Sequence, residues 1–363
     1  MPDFPINDVL APVGWIFVAL LAANLVLFLA LVVLREQWVF HARRRQRISE
    51  RLGPVEGLLT SGNPERAAAE LRPLVAGLGR EERPVAAWIL RDLTRDADEP
   101  TRARMRELLD ETGAVELAES STRRWMPWRR ALACETLGAI GLERSVPVLV
   151  ERLDDPRSEV RVAAARALGA IGSASAAPSL TTIFLERRAV PTGVAYDALR
   201  SLGSHGAEAF RRGLRSPDAT IRVASCFGVA AQAADGDGTG AVEAVAGVLA
   251  GDDNTRVRTA ATKALGVIGG TTPPRVLVEA VEDPDARVRR EAVSALGLFD
   301  GPDSVEILAG AARDPDREIA LRAAEALLAL RSRPAAGPAA ETAVASSPAW
   351  SVEYARTISG VAA

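Results

Sequence analysis

The chain has 363 residues, of which 48 % are hydrophobic and 4 % aromatic, with a formal net charge of −3. That near-neutral, slightly acidic balance excludes a general nucleic-acid binder, because phosphate contacts require a basic surface. Two cysteines and two histidines leave little material for a metal centre or a thiol nucleophile, and neither His41 nor His205 has a cysteine or carboxylate at ligand spacing.

Residues 1–12 hold Asp3 and Asp8 and no basic residue, and from Val13 to Leu34 there are 22 residues without a charge. As a helix this run is roughly 33 Å long against a bilayer core of about 30 Å, which predicts a transmembrane helix over 13–34. A cleaved signal peptide fits less well: the preceding flank is acidic, the run is long, and Arg35-Glu-Gln-Trp38 follows in place of small residues. Arg35, Arg43, Arg44, Arg45 and Arg47 follow the span and no basic residue precedes it, so residues 1–12 are expected outside and the rest in the cytoplasm. Trp15 and Trp38 fall at the two expected membrane interfaces. Ala19, Ala23 and Asn24 form a small-residue face with one amide, the type that meets another transmembrane helix. The basic juxtamembrane segment 35–47 serves equally as a topology signal and as an attractor of anionic membrane lipids.

Residues 48–123 predict a helical capping region or degenerate repeats, with helices over Pro64–Leu71, Pro84–Leu90 and Thr101–Leu109. The segment Arg123-Arg-Trp-Met-Pro-Trp-Arg-Arg130 then sets two tryptophans among four arginines. It reads either as a helix start with Pro127 near N1 and buried indoles, or as a partner or lipid-headgroup contact through Arg124, Trp125, Trp128 and Arg129.

From 124 to 363 the chain repeats itself. With the leucine of a recurrent Leu-Gly as register mark, the equivalent positions are Leu137, Leu168, Leu199, Val229, Leu265, Leu296 and Leu327, mostly 31 residues apart. The copy at Glu159-Val-Arg-Val-Ala-Ala-Ala-Arg-Ala-Leu-Gly-Ala-Ile-Gly172 has apolar residues at helical spacing, a glycine where a left-handed cap would end the helix, and a second short apolar run. This is a helical hairpin that buries its stripe only by stacking on its neighbours. Asp-Pro or Ser-Pro, as at Asp155-Pro156 and Ser216-Pro217, is expected to start each unit as an N-cap followed by proline at the first helical position. Cys134 and Cys226 occupy the same slot three repeats apart and are expected in the core, too distant for a disulfide. The third copy, Thr192–Gly203, is degenerate. An insertion at Asp235-Gly-Asp-Gly-Thr-Gly240 lacks the glutamate that a calcium loop needs and predicts a flexible connection.

These residues resemble the short HEAT-like repeats of bacteria, of the phycobilin-lyase type, with a V-R-x-x-A-A-x-A-L-G-x-I-G pattern and a D-P turn. The resemblance spans roughly Trp128 to Ala363. It implies an all-α fold, a right-handed α-solenoid of HEAT-like helical hairpins, here preceded by one N-terminal transmembrane helix, and it says little about activity.

Asp155 and Arg161, Asp252 and Arg258, and Asp283 and Arg289 each stand six residues apart, with Arg222 after Ser216 as a variant. Such regularity predicts a structural ladder linking turns to helices, made of exposed pairs contributing under about 1 kcal/mol each. No nucleophile elbow, Walker or dinucleotide motif occurs, so neither catalysis nor a cofactor is expected. The expected function is a single-span, membrane-tethered cytoplasmic scaffold. Its expected partner is a membrane protein with a cytoplasmic domain, a glycosyltransferase of the envelope being the specific instance. The alternative is a lyase or isomerase with His205 or Cys226 in a concave pocket.

Overall fold

The computed structural model describes residues 24, 46–52, 64–79, 82–93, 98–187, 189–236 and 240–359. Of the predicted span 13–34 only Asn24 is among them, helical and exposed; Trp15, Ala19, Ala23, Trp38, Arg43, Arg44 and Arg45 lie outside the described residues, and Arg47 is exposed in a helical stretch over 46–52. Among the described residues no helix is long and apolar enough to cross a membrane. The chain divides into two compact units, Met1–Ala118 and Glu119–Ala363, whereas the sequence pattern starts the repeat array at 124.

The described helices of the first unit are α1 (Pro64–Ala76), α2 (Arg83–Leu93), α3 (Glu99–Glu111) and the start of α4 (Ala114–Ser121). The first three contain the three segments expected to be helical from the sequence. Helix α3 starts where the Asp98 carboxylate accepts the Thr101 N–H at 3.0 Å, which satisfies one of the orphan donors of a helix start. Leu71 and Val75 of α1 and Met105 and Leu108 of α3 are buried, and the two helices pack together. Arg83 fixes the other end of α3 by donating from Nη1 to the Thr112 carbonyl at 2.7 Å.

The second unit is an array of helical hairpins. Its first helices are α5 (Pro127–Ile140), α7 (Ser158–Ile171), α9 (Thr192–Ser201), α11 (Ala219–Ala234), α13 (Thr255–Ile268), α15 (Ala286–Leu296), α17 (Arg317–Leu330) and α19 (Ala349–Ser359). The shorter second helices are α6 (Val146–Arg152), α8 (Ala177–Thr182), α10 (Ala207–Gly213), α12 (Ala241–Gly251), α14 (Arg275–Glu279), α16 (Pro302–Ala311) and α18 (Gly337–Ser346). Each first helix packs on the next along the whole row. All seven register marks are buried. No strand occurs among the described residues, only an isolated bridge between Gly270 and Phe299.

The two glycines of the repeat do different work. Gly141 and Gly172 end α5 and α7 in the left-handed region, at φ 78° and 72°, where a Cβ would be strained. The glycine after the register mark lies inside the helix and lets the next helix approach: a Cβ on Gly138 would stand 2.6 Å from Ala167 Cα, and one on Gly169 2.7 Å from Ala198 Cα. Gly266 faces Ala295 and Gly297 faces Ala326 in the same way. The row is therefore spaced by backbone and methyl groups.

The third copy departs from this pattern. Arg200 stands in the glycine slot after Leu199, and Gly228, just before Val229, takes the buried Phe210 ring. Phe184 meets that ring edge-on at 5.7 Å and Tyr196 at 5.4 Å. An aromatic cluster thus fills the space at the degenerate copy.

The N-caps fall later than the sequence reading puts them. Helices α11, α13, α15 and α17 are capped by Asp218, Asn254, Asp285 and Asp316, each of which accepts the N–H two residues on. The preceding Asp155, Ser216, Asp252, Asp283 and Asp314 instead close a tight turn, each accepting the N–H two residues ahead. Proline outside the helix thus stiffens the turn.

Candidate protein-binding groove

The recurrent arginine of the first helix joins three pieces of backbone. Arg222 Nη1 donates to the carbonyls of Ser216 and Pro217, in the turn that leads into its own helix. Its Nε and Nη2 grip the Asp252 carboxylate of the next repeat at 2.6 and 3.0 Å. Arg258 does the same with the carbonyls of Asp252 and Asp253 and the carboxylate of Asp283, and Arg130 with the carbonyls of Arg124 and Trp125 and the carboxylate of Asp155.

This geometry corrects the pairing read from the sequence. Arg161, Arg258 and Arg289 bind the backbone carbonyl, not the carboxylate, of the aspartate six residues before them. The carboxylate belongs to the arginine of the preceding repeat, 25 or 30 residues upstream, a partner that no local spacing points to. Nor are the pairs exposed: the Arg130 and Asp155 side chains are 11 % and 2 % accessible. Burial pushes the Asp155 and Asp252 carboxyls up, but the bidentate guanidinium and the turn N–H outweigh it and hold both below the usual carboxylate value. The same bonds raise Arg130, Arg222 and Arg258.

The ladder breaks where the repeat does. Before α9 the turn has no Asp-Pro, and Arg161 Nε turns to the Ala189 carbonyl at 2.6 Å. The third copy has Thr192 in the arginine slot, and the following turn holds Ser216 in place of aspartate. An aspartate there would be buried without a guanidinium.

Next to this break an open groove of about 760 Å³ runs between α10 and α12. Arg211, Arg212 and Arg215 form one wall. The other is the cap residue Gly240 followed by Ala244, Gly247 and Gly251 at helical spacing on α12, with Glu208 and Glu243 at the sides. A Cβ on Gly247 or Gly251 would meet nothing within 4 Å, so the small side chains widen the groove instead of accommodating a neighbouring helix. The insertion contributes Gly240, which caps α12 in the left-handed region at φ 68°. The sequence reading missed this site; its signals are the Arg211-Arg212-Gly-Leu-Arg215 cluster and the glycines spaced by about one turn on α12.

The other sequence candidates are dispersed. His205 is exposed, Cys134 and Cys226 are free and buried, and none of them lines the groove. Burial pushes both thiols up to about 12. Among the described residues no cluster of histidine, cysteine and carboxylate is arranged to hold a metal ion. Trp125 and Trp128 are exposed, not buried as one of the two readings has it, and Arg129 lies over the Trp128 ring at 5.0 Å.

Residues 115–203 and 273–359 match the family model described as HEAT repeats, so these stretches of the array are HEAT repeats. No curated protein matches the chain in sequence. Among solved structures, human deoxyhypusine hydroxylase is similar at 20 % identity over 70 % of this chain and 97 % of its own, with a TM-score of 0.30. The CpcE–CpcF complex of phycocyanin lyase from Nostoc sp. PCC7120 is similar at 21 % identity over 78 % of this chain and 94 % of that one, with a TM-score of 0.28. The karyopherin Kap121p is similar at 14 % identity and a TM-score of 0.48 over 78 % of this chain, which spans 37 % of that protein's matched chain.

Proposed function

We propose that the protein is a membrane-tethered scaffold that holds a protein partner in the groove between α10 and α12. The observation that carries the reading is the groove itself: three arginines face a glycine and alanine wall that a polypeptide backbone can approach closely. The hydrogen-bonded ladder ties neighbouring turns and stiffens the frame, which lowers the ordering cost of binding. The partner is an acidic segment of a membrane protein's cytoplasmic domain, with an envelope glycosyltransferase as the specific candidate. The tether is the uncharged run 13–34, oriented N-terminus outward by the arginines of 35–47. Confinement to the same membrane raises the effective concentration of the two proteins for each other. The lyase or isomerase alternative draws no support from His205 or Cys226, which stand apart from the groove.

The test is crosslinking in native membranes with the full chain as bait. A membrane protein should be recovered and then lost with Gly247→Trp, which fills the groove from an exposed helix face. Recovery unchanged by that substitution would remove the groove from the reading. Recovery of soluble proteins alone, unaffected by deleting residues 1–47, would remove the membrane address.

A further inference from the structure

The first turn of the array breaks the rule that the others keep. Where later turns place Asp155-Pro156, Ser216-Pro217, Asp252-Asp253 and Asp283-Pro284 on the carbonyl-binding arginine, this one places Arg124-Trp125 on Arg130, with both carbonyls accepting from Nη1 at 3.0 Å. Arg130 is itself clamped by Asp155, so the loop is fixed from below and its side chains are free to face outward. Trp125 is 81 % exposed, Trp128 58 % and Leu132 43 %, and Arg123, Arg124 and Arg129 are exposed and make no ion pair among the described residues.

We infer that Arg123, Arg124, Trp125, Trp128, Arg129 and Leu132 form a docking face for an anionic phospholipid surface. An indole has an apolar body and a polar N–H, so it settles at headgroup depth, and guanidinium groups beside it pair with phosphate while their stems stay among the acyl carbons. Arg129 stacked on Trp128 holds charge and ring at one level. An acidic protein surface would satisfy the arginines, but it would also have to supply a pocket for an indole that projects from a loop. A fluid headgroup layer forms that cavity around the ring. The face goes beyond the proposed tether, since it lies more than eighty residues after the span 13–34, and it would lay the start of the array against the membrane.

The experiment attaches an environment-sensitive fluorophore at Leu132→Cys in the full chain, with Val267→Cys, also exposed, as the control. The two native cysteines are buried and leave the new thiol as the reactive one. The chain is reconstituted in nanodiscs of phosphatidylcholine alone or with a third of the lipid as phosphatidylglycerol. The Leu132→Cys label should blue-shift in the anionic discs only, lose the shift in high salt, and lose it when Arg123, Arg124 and Arg129 are all changed to Gln. The control label should stay aqueous throughout. Each arginine removed should lower partitioning onto anionic vesicles by roughly fivefold. A label that stays aqueous in anionic discs, that shifts equally in both lipids, or that shifts only on addition of an acidic protein fraction would overturn the inference, the last in favour of a protein contact. Should residues 13–34 fail to insert, the tether fails while the same labelled chain, mixed with anionic vesicles, still reports on this face.

Discussion

Arg130 and Asp155 stand 25 residues apart and are joined by two hydrogen bonds of 2.8 Å, with the carboxylate almost wholly covered. Removing the arginine would leave a buried anion with the Arg157 N–H as its hydrogen-bond partner and the Arg152 charge nearby. Arg130→Leu should therefore cost about 3 kcal/mol, the low end for breaking a buried pair, read as a lower urea midpoint. Adding Asp155→Ser should recover most of the loss, because Ser216 accepts the turn N–H in the copy whose predecessor has no arginine. A double variant as unstable as the single one would show that the pair is more than a satisfied charge.

The ladder also fixes a pH dependence. Asp155 and Asp252 titrate below their ordinary value of 3.8 in the folded protein, so the unfolded chain binds protons first as pH falls. Their contribution is complete above the unfolded carboxylate value of about 3.9 and is lost as pH drops through the lower folded values. Urea midpoints should be level from neutral pH to about pH 5 and fall below about pH 4. Asp155→Asn should have a lower neutral midpoint and a shallower acid slope. An equal slope would place the acid sensitivity elsewhere.

Cys134 and Cys226 have no accessible surface and are pushed up to about 12. A thiol reagent at mildly alkaline pH should therefore label neither in the native protein and both in denaturant. Rapid native labelling of Cys226 would expose a reactive thiol and revive the enzymatic alternative.

Much of the array was legible in the sequence because it rests on local chemistry. Apolar spacing marks the first helices, and Gly141 and Gly172 mark their ends through a requirement for positive φ. The N-cap was displaced by two residues because Asp155 and Asp218 both look like caps, and only the turn hydrogen bonds tell them apart. The ladder was visible as a repeated aspartate and arginine, but its partners lie 25 to 30 residues apart and cannot be read from a spacing of six. The groove was hidden for a different reason: Gly247 and Gly251 look like helix weaknesses until the space beside them is known to be empty.

That contrast between glycines gives the last expectation. Gly138 and Gly247 both lie inside helices, where alanine is favoured by up to about 1 kcal/mol. At Gly247 a Cβ meets nothing within 4 Å, so Gly247→Ala should realise that gain and stabilise the fold by about 0.5–1 kcal/mol, read as a higher urea midpoint. At Gly138 it would stand 2.6 Å from Ala167 Cα and 2.8 Å from its Cβ, and neither a backbone atom nor a methyl can rotate away. The helices would have to separate, an overpacking cost of about 1–3 kcal/mol that exceeds the propensity gain. Gly138→Ala should therefore destabilise the fold by about 1–2 kcal/mol net, read as a lower urea midpoint. If both substitutions stabilise to the same degree, the close approach of α5 and α7 is not what keeps a glycine after the register mark.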